Sequence, residues 1–509
     1  MDSDSPPPAS TPVRPSRAGV VLLALGLAVY AALLIGNVAG YAGGSDSSGY
    51  LNLARLLREG EAHVAPRDFP EYPASRAPSY FYTPLGFKPA PDHNGLVPTY
   101  PTGLPLLIAA TATFAGWEHA ADIVLVLHGI AGVVLTFAAA RCFGLSPRWA
   151  AVAALVIAVS PLYLMMAVQA LSDMPALVWA TAAVLAAWRA GQSPRRGVAW
   201  AIAAGAIYAL AVLTRPTNLL MIAPVAIALG LDWRRWLAFL VAGAPGGIFF
   251  FAFNLAAYGK FLTTGYGDTT EMNLHLVPAT LAHYARWLPM LFTPVILGVF
   301  ALPWLRRAPR VAWVLGTWIL AIAGFYAAYE FTHETWWYLR FLLPAAPALV
   351  IGGLLGVRLI VARCMTPLRA WICLAVALLV CGVNAGYWAK KFKPLNSGRG
   401  EDVYPLTAAW LREHVPAKAV IVTMQTSGAL RFYTDFTLVR WDQIQPPDYA
   451  DLVAALKKSG RPLYAALFPF ETDEALQNRV PGRWTQVGNV RQATFWKWEP
   501  AADPPGVKQ

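Results

Sequence analysis

Apolar runs of membrane-crossing length, with short arginine clusters at every second connection, constrain this 509-residue chain more than any other feature. The runs cover about 18–41, 120–140, 148–169, 173–190, 197–213, 217–231, 236–257, 287–305, 311–329, 340–362 and 370–388. A span needs ~20 apolar residues, and the shorter runs need tilt or a buried place. Hydrophobic residues make up 57% and charged residues only 13%, so the chain reads as a polytopic membrane protein with some soluble material attached. The formal net charge of +12 is dispersed among the clusters rather than gathered in one patch. Topology explains it better than nucleic acid does.

The clusters are Arg14/Arg17, Arg141/Arg148, Arg189/Arg195/Arg196, Arg234/Arg235, Arg306/Arg307/Arg310 and Arg358/Arg363/Arg369. Putting all of them in the cytoplasm predicts an α-helical protein of about eleven transmembrane helices, with its N-terminus inside and its C-terminus outside. The run "YPTGLPLLIAATATFAG" (100–116) must then not cross. It is short and carries Pro101 and Pro105, which fits a re-entrant or juxtamembrane helix on the outer face. The long connections 42–119, 258–286 and 330–339, and everything after 388, face outward. The outer face is therefore the expected working face.

Three regions follow. Residues 1–17 are Pro/Ser-rich and expected to be a disordered cytoplasmic tail. Residues 18–388 form the membrane module. Residues 389–509 form an extracytoplasmic part, in which alternating strand and helix signals from "PLTAAWLREHV" to "QATFWKW" predict a small α/β domain with a mainly parallel sheet and a closing hairpin. The four cysteines show neither metal-ligand spacing nor a pattern that predicts a disulfide.

Polar residues at span ends ask for an account, because a central Asp costs about 2.5–3.5 kcal/mol on insertion scales. Asp122, Asp173, Arg215, Asn254, Glu330 and Arg340 all fall at outer ends. Acids and arginines at one membrane edge suggest a site for an amphiphile, with its lipid in the bilayer and its charged head among the arginines. Asp46 lies just past the first span, in "YAGGSDSSGYLNLARLL". There it is either a helix cap or a site residue, and Ser47 or Ser48 could cap instead. Asp173, in "SDMP", also reads as a cap. Arg340 follows "HETWWY" and is either an interfacial anchor or a phosphate clamp. Arg215, in "TRPTN", either snorkels or serves the site. Lys88 and Tyr100 are further candidates in the first outer loop.

The order of these segments resembles the GT-C glycosyltransferases, and more closely the dolichyl-phosphate-mannose protein mannosyltransferase-like and aminoarabinose transferase-like group. The segments are a first span, an outer acid, "GYLNLARLL", "YPTGLPLL", "FGLSPRWAAVAALVIAVSPLYLMMAVQALSDMPAL", "LTRPTNLLMIAP", "NLAAYGKFLTTGYG" and "WWYLRFLLPAAPAL". The likeness spans roughly 18–388. The resemblance implies an inverting transferase that moves a sugar from a polyprenyl-phosphate donor to a glycan, lipid or protein acceptor at the outer face of a bacterial-type inner membrane. It implies Asp46 as catalytic base and Asp173 as the family's second acid. Arg340, Arg215, Asp173, Tyr100 and Lys88 are the substrate-binding candidates. No cofactor is implied, and no metal site is indicated. Relatives with two adjacent acids in the first loop differ from this chain, where Ser47 follows Asp46. The rival expectation is a transporter or lipid-linked sugar flippase without transferase activity.

Overall fold

The computed structural model describes residues 17–92, 95–266, 271–364 and 367–499. The tail expected to be disordered lies outside these residues, except that Arg17 opens the first helix. The membrane module begins with α1 (Arg17–Ile35) and α2 (Ser45–Glu59). A small antiparallel pair follows, β1 (Phe87–Pro89) with β2 (Leu96–Pro98). Next come α3 (Gly103–Ala115), α4 (Trp117–Cys142), α5 (Pro147–Ala158), α6 (Pro161–Ala167) and α7 (Asp173–Gln192). The module ends with α8 (Gly197–Thr214), α9 (Ile222–Leu229), α10 (Trp233–Tyr258), α11 (Val277–Leu291), α12 (Pro309–Ala327), α13 (Ala346–Cys364) and α14 (Pro367–Phe392).

Five helices among the described residues are long and apolar enough to cross a membrane: α4, α8, α10, α12 and the stretch Trp336–Val361. The number rises to seven if two sharply bent pairs each count as one span. The expectation of eleven assumed unbroken runs, whereas several runs are broken or short. The run 148–169 bends by 63° between α5 and α6. Pro161 cannot donate a backbone hydrogen bond, and Ser160 Oγ starts a new helix by accepting from Tyr163 N at 3.4 Å. Leu274–Leu291 and Pro294–Trp304 meet at 114°. The 13-residue α3 reaches only about 20 Å, short of a ~30 Å hydrocarbon core.

Helix α7 runs through the centre. Ala176, Ala180, Ala183 and Ala187 are fully buried along it, and such small residues let neighbouring helices approach closely.

The C-terminal segment carries α15 (Asn396–Gly400), α16 (Val403–His414), α17 (Ser427–Tyr433) and α18 (Pro446–Ser459). Its strands are β3 (Val420–Thr423), β4 (Thr437–Arg440), β5 (Leu463–Leu467), β6 (Arg483–Val490) and β7 (Ala493–Glu499). They form one sheet in the order β4-β3-β5-β7-β6. β4, β3 and β5 are parallel, and β6 and β7 form an antiparallel hairpin. Every residue of β3 and β5 is buried, as in strands covered on both faces. "DEALQNRV", expected as an ordinary helix, contains a π-helical turn at Glu474–Arg479. Helix α17 lies on α2, which bears Asp46.

Candidate active site

Helix α2 starts three residues earlier than a cap at Ser47 suggests. Gly44 is its N-cap and no side chain caps it there. Ser48 Oγ donates to Gly44 O at 2.7 Å, and Ser47 Oγ accepts from Gly43 N at 3.3 Å. Neither serine takes the N-cap position expected of it, and Asp46 does not cap either. Asp46 sits in the first helical turn, where the helix dipole favours a carboxylate. Its side chain is left for other partners.

Those partners come from two distant segments. Tyr100 Oη donates to Asp46 Oδ1 at 2.7 Å, and Arg340 Nη2 donates to Oδ2 at 2.6 Å. The Tyr100 ring lies over Gly49, where a Cβ would come within 2.3 Å of the ring. Gly49 therefore lets the tyrosine reach the acid. Arg340 stands on a 3-10 helix, Trp336–Ala345, and its Nη1 is 3.9 Å from Asp173 Oδ2. Asp173 Oδ1 accepts from Arg215 Nη2 at 2.7 Å. The result is a charge-neutral chain: Asp46, Arg340, Asp173, Arg215.

Arg215 owes its position to Pro216. A residue before proline is pushed out of the helical region, and Arg215 is extended at φ −150°, ψ 112°. That breaks α8 and turns the guanidinium inward, where Arg215 and Asp173 side chains are only 7% and 2% exposed. Arg215 Nη1 is buried without a hydrogen-bond partner among the described residues. Asp173 starts α7, but its carboxylate pairs with Arg215 and makes no side-chain cap. Ser172 accepts from Tyr50 Oη at 2.8 Å and joins the two halves of the site.

Electrostatics sets the protonation states. Burial raises the Asp46 carboxyl, but the Arg340 charge, hydrogen bonds from Tyr100 and Arg340, and the more distant Arg215 outweigh it. Asp46 is held below its ordinary value and is ionised at neutral pH. Burial and the Asp46 charge push the Tyr100 phenol well up, so it stays protonated and donates.

These residues wall a cavity of about 600 Å³. Asp46, Tyr100, Asp173, Arg215 and Arg340 form its polar end, and Leu171, Leu219, Leu220, Phe325, Phe331 and Phe341 supply apolar surface. Leu219 is 59% exposed, so the apolar side is open. Four of the five substrate-binding candidates thus join Asp46 at one site. Lys88 is the exception and does not line the cavity. Its Nζ donates to Gly265 O at 3.0 Å and Thr264 O at 3.4 Å, so it braces the loop that carries Tyr266. Asp122 and Asn254 are also elsewhere, bonded to Gly40 N and Phe261 O. Tyr50, Tyr266, Glu271, Tyr326 and Tyr338 line the cavity without having been singled out from sequence. Tyr50, Tyr266 and Tyr338 lie in the quoted stretches "GYLNLARLL", "TTGYG" and "HETWWY", which are the signals that could have found them. Among the described residues, no group of three or more His, Cys, Asp or Glu could hold a metal ion.

The fold and site together are a helical bundle that holds two acids, two arginines and an amphiphilic cavity. The family model for dolichyl-phosphate-mannose-protein mannosyltransferase matches residues 101–256, less than a third of the chain. No curated protein sequence matches it. Among solved structures, ArnT from Cupriavidus metallidurans is similar in its apo state at a TM-score of 0.58 and 16% identity, covering 94% of this chain and 98% of that one. The same protein bound to undecaprenyl phosphate gives 0.56 and 16%, covering 95% and 98%. The Archaeoglobus fulgidus oligosaccharyltransferase gives 0.54 and 12%, covering 89% of this chain and 70% of that one. The mycobacterial arabinofuranosyltransferase AftD gives 0.54 and 14%, with 96% of this chain matching 40% of that one. The chain shares the fold of these membrane glycosyltransferases at 12–16% identity, and its stretch 101–256 is similar to the mannosyltransferase family.

Proposed function

We propose that the protein is an inverting glycosyltransferase that takes a sugar from a polyprenyl-phosphate donor at the outer face of the inner membrane. One observation carries the reading: an ionised Asp46 and two arginines share the polar end of a cavity whose other side is apolar and open. A lipid-linked phosphate sugar has the same two halves. ArnT, a relative in fold, is known bound to undecaprenyl phosphate, which favours the same carrier class here.

In this reading the N-terminus lies in the cytoplasm and the C-terminal segment outside. The acceptor hydroxyl oxygen attacks the anomeric carbon from the face opposite the phosphate. The bond from that carbon to the phosphate oxygen breaks, and its electron pair leaves with the phosphate. The hydroxyl proton passes to Asp46. Inversion follows from the single displacement.

Arg340 links the two charge changes. It now hydrogen-bonds Asp46 at 2.6 Å, and the cavity beside it is the place for a phosphate. When Asp46 takes the proton it loses its hold on Arg340, at the moment the departing phosphate gains charge. Charge-assisted contacts of this kind stabilise a leaving anion. Arg215, with Nη1 unpartnered, is the second cation.

The test is Asp46→Asn in the otherwise intact protein, with envelope glycans and glycoproteins measured by mass spectrometry. A positioned general base contributes ~10²–10⁴-fold, so product should fall at least ~10²-fold with normal expression and fold. Near-normal product from a well-folded variant would falsify the assignment.

A further inference from the structure

Helix α2 has an unusual start. In a capping box the N3 side chain reaches back to the N-cap backbone N–H. Here N3 is Ser47, whose Oγ is occupied by Gly43 N. The N-cap amide, Gly44 N, donates instead to Glu401 Oε2 at 3.1 Å, a residue 357 positions away at the end of α15. The local sequence leaves room for this guest. A Cβ on Gly43 would lie 1.9 Å from Glu401 Oε2, so only glycine admits the carboxylate.

Other C-terminal groups hold the same stretch. Tyr433 Oη accepts from Ala42 N at 2.9 Å. Asn52 Nδ2 donates to Gly428 O at 2.9 Å. Gly428 packs so closely that a Cβ there would be 2.2 Å from Ser48 Oγ. The backbone at 42–44 and the first two turns of α2 are thus gripped from one side by α15 and α17. Asp46 lies two residues beyond the amide that Glu401 holds.

We propose that the C-terminal segment is part of the active site, with Glu401 as the positioning residue that fixes the Gly43–Gly44 backbone and aims Asp46. The proposal rests on reading Asp46 as the base. Glu401 also acts through charge. The groups that lower the Asp46 carboxyl are Tyr100, Arg340 and Arg215, while Glu401 and Asp46 repel each other. Burial and that mutual repulsion hold the Glu401 carboxyl above its ordinary value, against the hydrogen bond from Gly44.

Two variants separate the roles. Glu401→Ala removes the acceptor. Glu401→Gln keeps an acceptor oxygen and removes the charge. The full chain in lipid nanodiscs is followed by amide hydrogen exchange over residues 40–50, and glycan product is quantified as for Asp46→Asn. Glu401→Ala should speed exchange at Gly44 at least about tenfold and cut product ten- to a hundredfold, since ~1 Å of misplacement can cost ~10²-fold. Glu401→Gln should keep both near wild type while moving the acid limb of the pH profile to lower pH. That shift is expected because a negative neighbour of Asp46 has been lost. Unchanged exchange in Glu401→Ala overturns the proposal. So does wild-type product from Glu401→Ala when Asp46→Asn is inactive, and that result leaves the transferase reading intact. Active Asp46→Asn protein overturns the reading of Asp46 as the base, and the catalytic half of this proposal with it.

Discussion

Replacing Arg340 by alanine separates two roles that the site assigns to one guanidinium. In the resting protein Arg340 hydrogen-bonds Asp46 at 2.6 Å and lies 3.9 Å from Asp173. In the proposed reaction it also meets the donor phosphate. A charge-assisted hydrogen bond is worth about 1.5–3 kcal/mol, and each ~1.4 kcal/mol is a factor of ten. Donor affinity should therefore fall about ten- to a hundredfold. Lysine should restore it only partly, because an ammonium offers a point charge and no fork. The second consequence is a pH shift. Burial raises the Asp46 carboxyl, and Arg340 is the largest influence that lowers it. Asp46 is therefore depressed in the wild type, and the ion pair it makes is lost as pH falls through its folded value. Without Arg340 that value rises, and the acid limb of the activity profile moves to higher pH. The assay is initial rate against donor concentration at several pH values, in nanodiscs, with a polyprenyl-phosphate sugar identified from the glycan analysis. The reasoning fails if Arg340→Ala raises only the acceptor requirement, or lowers protein yield with kinetics unchanged. The arginine would then be an interfacial anchor, and the clamp would have to be sought at Arg215.

Two other outcomes are expected. Asp173 and Arg215 form a buried pair at 2.7 Å, so Asp173→Ala and Arg215→Ala should each destabilise the detergent-solubilised protein by about 3–5 kcal/mol, and the double variant by clearly less than the sum; additive losses in thermal unfolding would refute the pairing. Single-cysteine labelling in a cysteine-free background should reach 60–92 and 400–499 from outside and 142–147 and 191–196 from the cytoplasm; labelling of the C-terminal segment from the cytoplasm would remove the outer-face site.

Local features of the site were legible in the sequence, while its connections were not. Asp46 stands out as the acid that follows the first apolar run, and the family resemblance, rather than the local sequence, favours a site residue over a cap. Arg215 stands out because a proline follows it, and that same proline breaks the helix and turns the arginine inward. Candidates chosen this way converge on one cavity. Their pairing is another matter. Arg340 is 294 residues from Asp46 and Arg215 is 42 from Asp173. Which arginine meets which acid depends on how the helices are rotated about their axes, and apolar runs without a strong polar stripe do not encode that rotation. The cap readings failed for a related reason. Serines before an amphipathic run are good caps locally, yet at α2 the N-cap amide is met by a carboxylate from the other end of the chain.

The span count shows the same limit. Hydropathy finds apolar length, but the breaks at Ser160–Pro161 and between α11 and Pro294–Trp304 are bends of 63° and 114°. Packed neighbours, rather than the runs themselves, make such bends tolerable by re-satisfying the freed backbone groups. The C-terminal segment is the sharpest case. Judged as a separate unit, it shows alternating strands and helices and no evident catalytic set, which suggests a bystander. Glu401, Gly428 and Tyr433 acquire meaning only when laid against Ala42, Gly44 and Ser48. A site shared between the two ends of a chain leaves half of its signal at each end. In the first half it takes the form of glycines at 43 and 49, which look like loop residues until the carboxylate and the phenol ring that fill their space are seen.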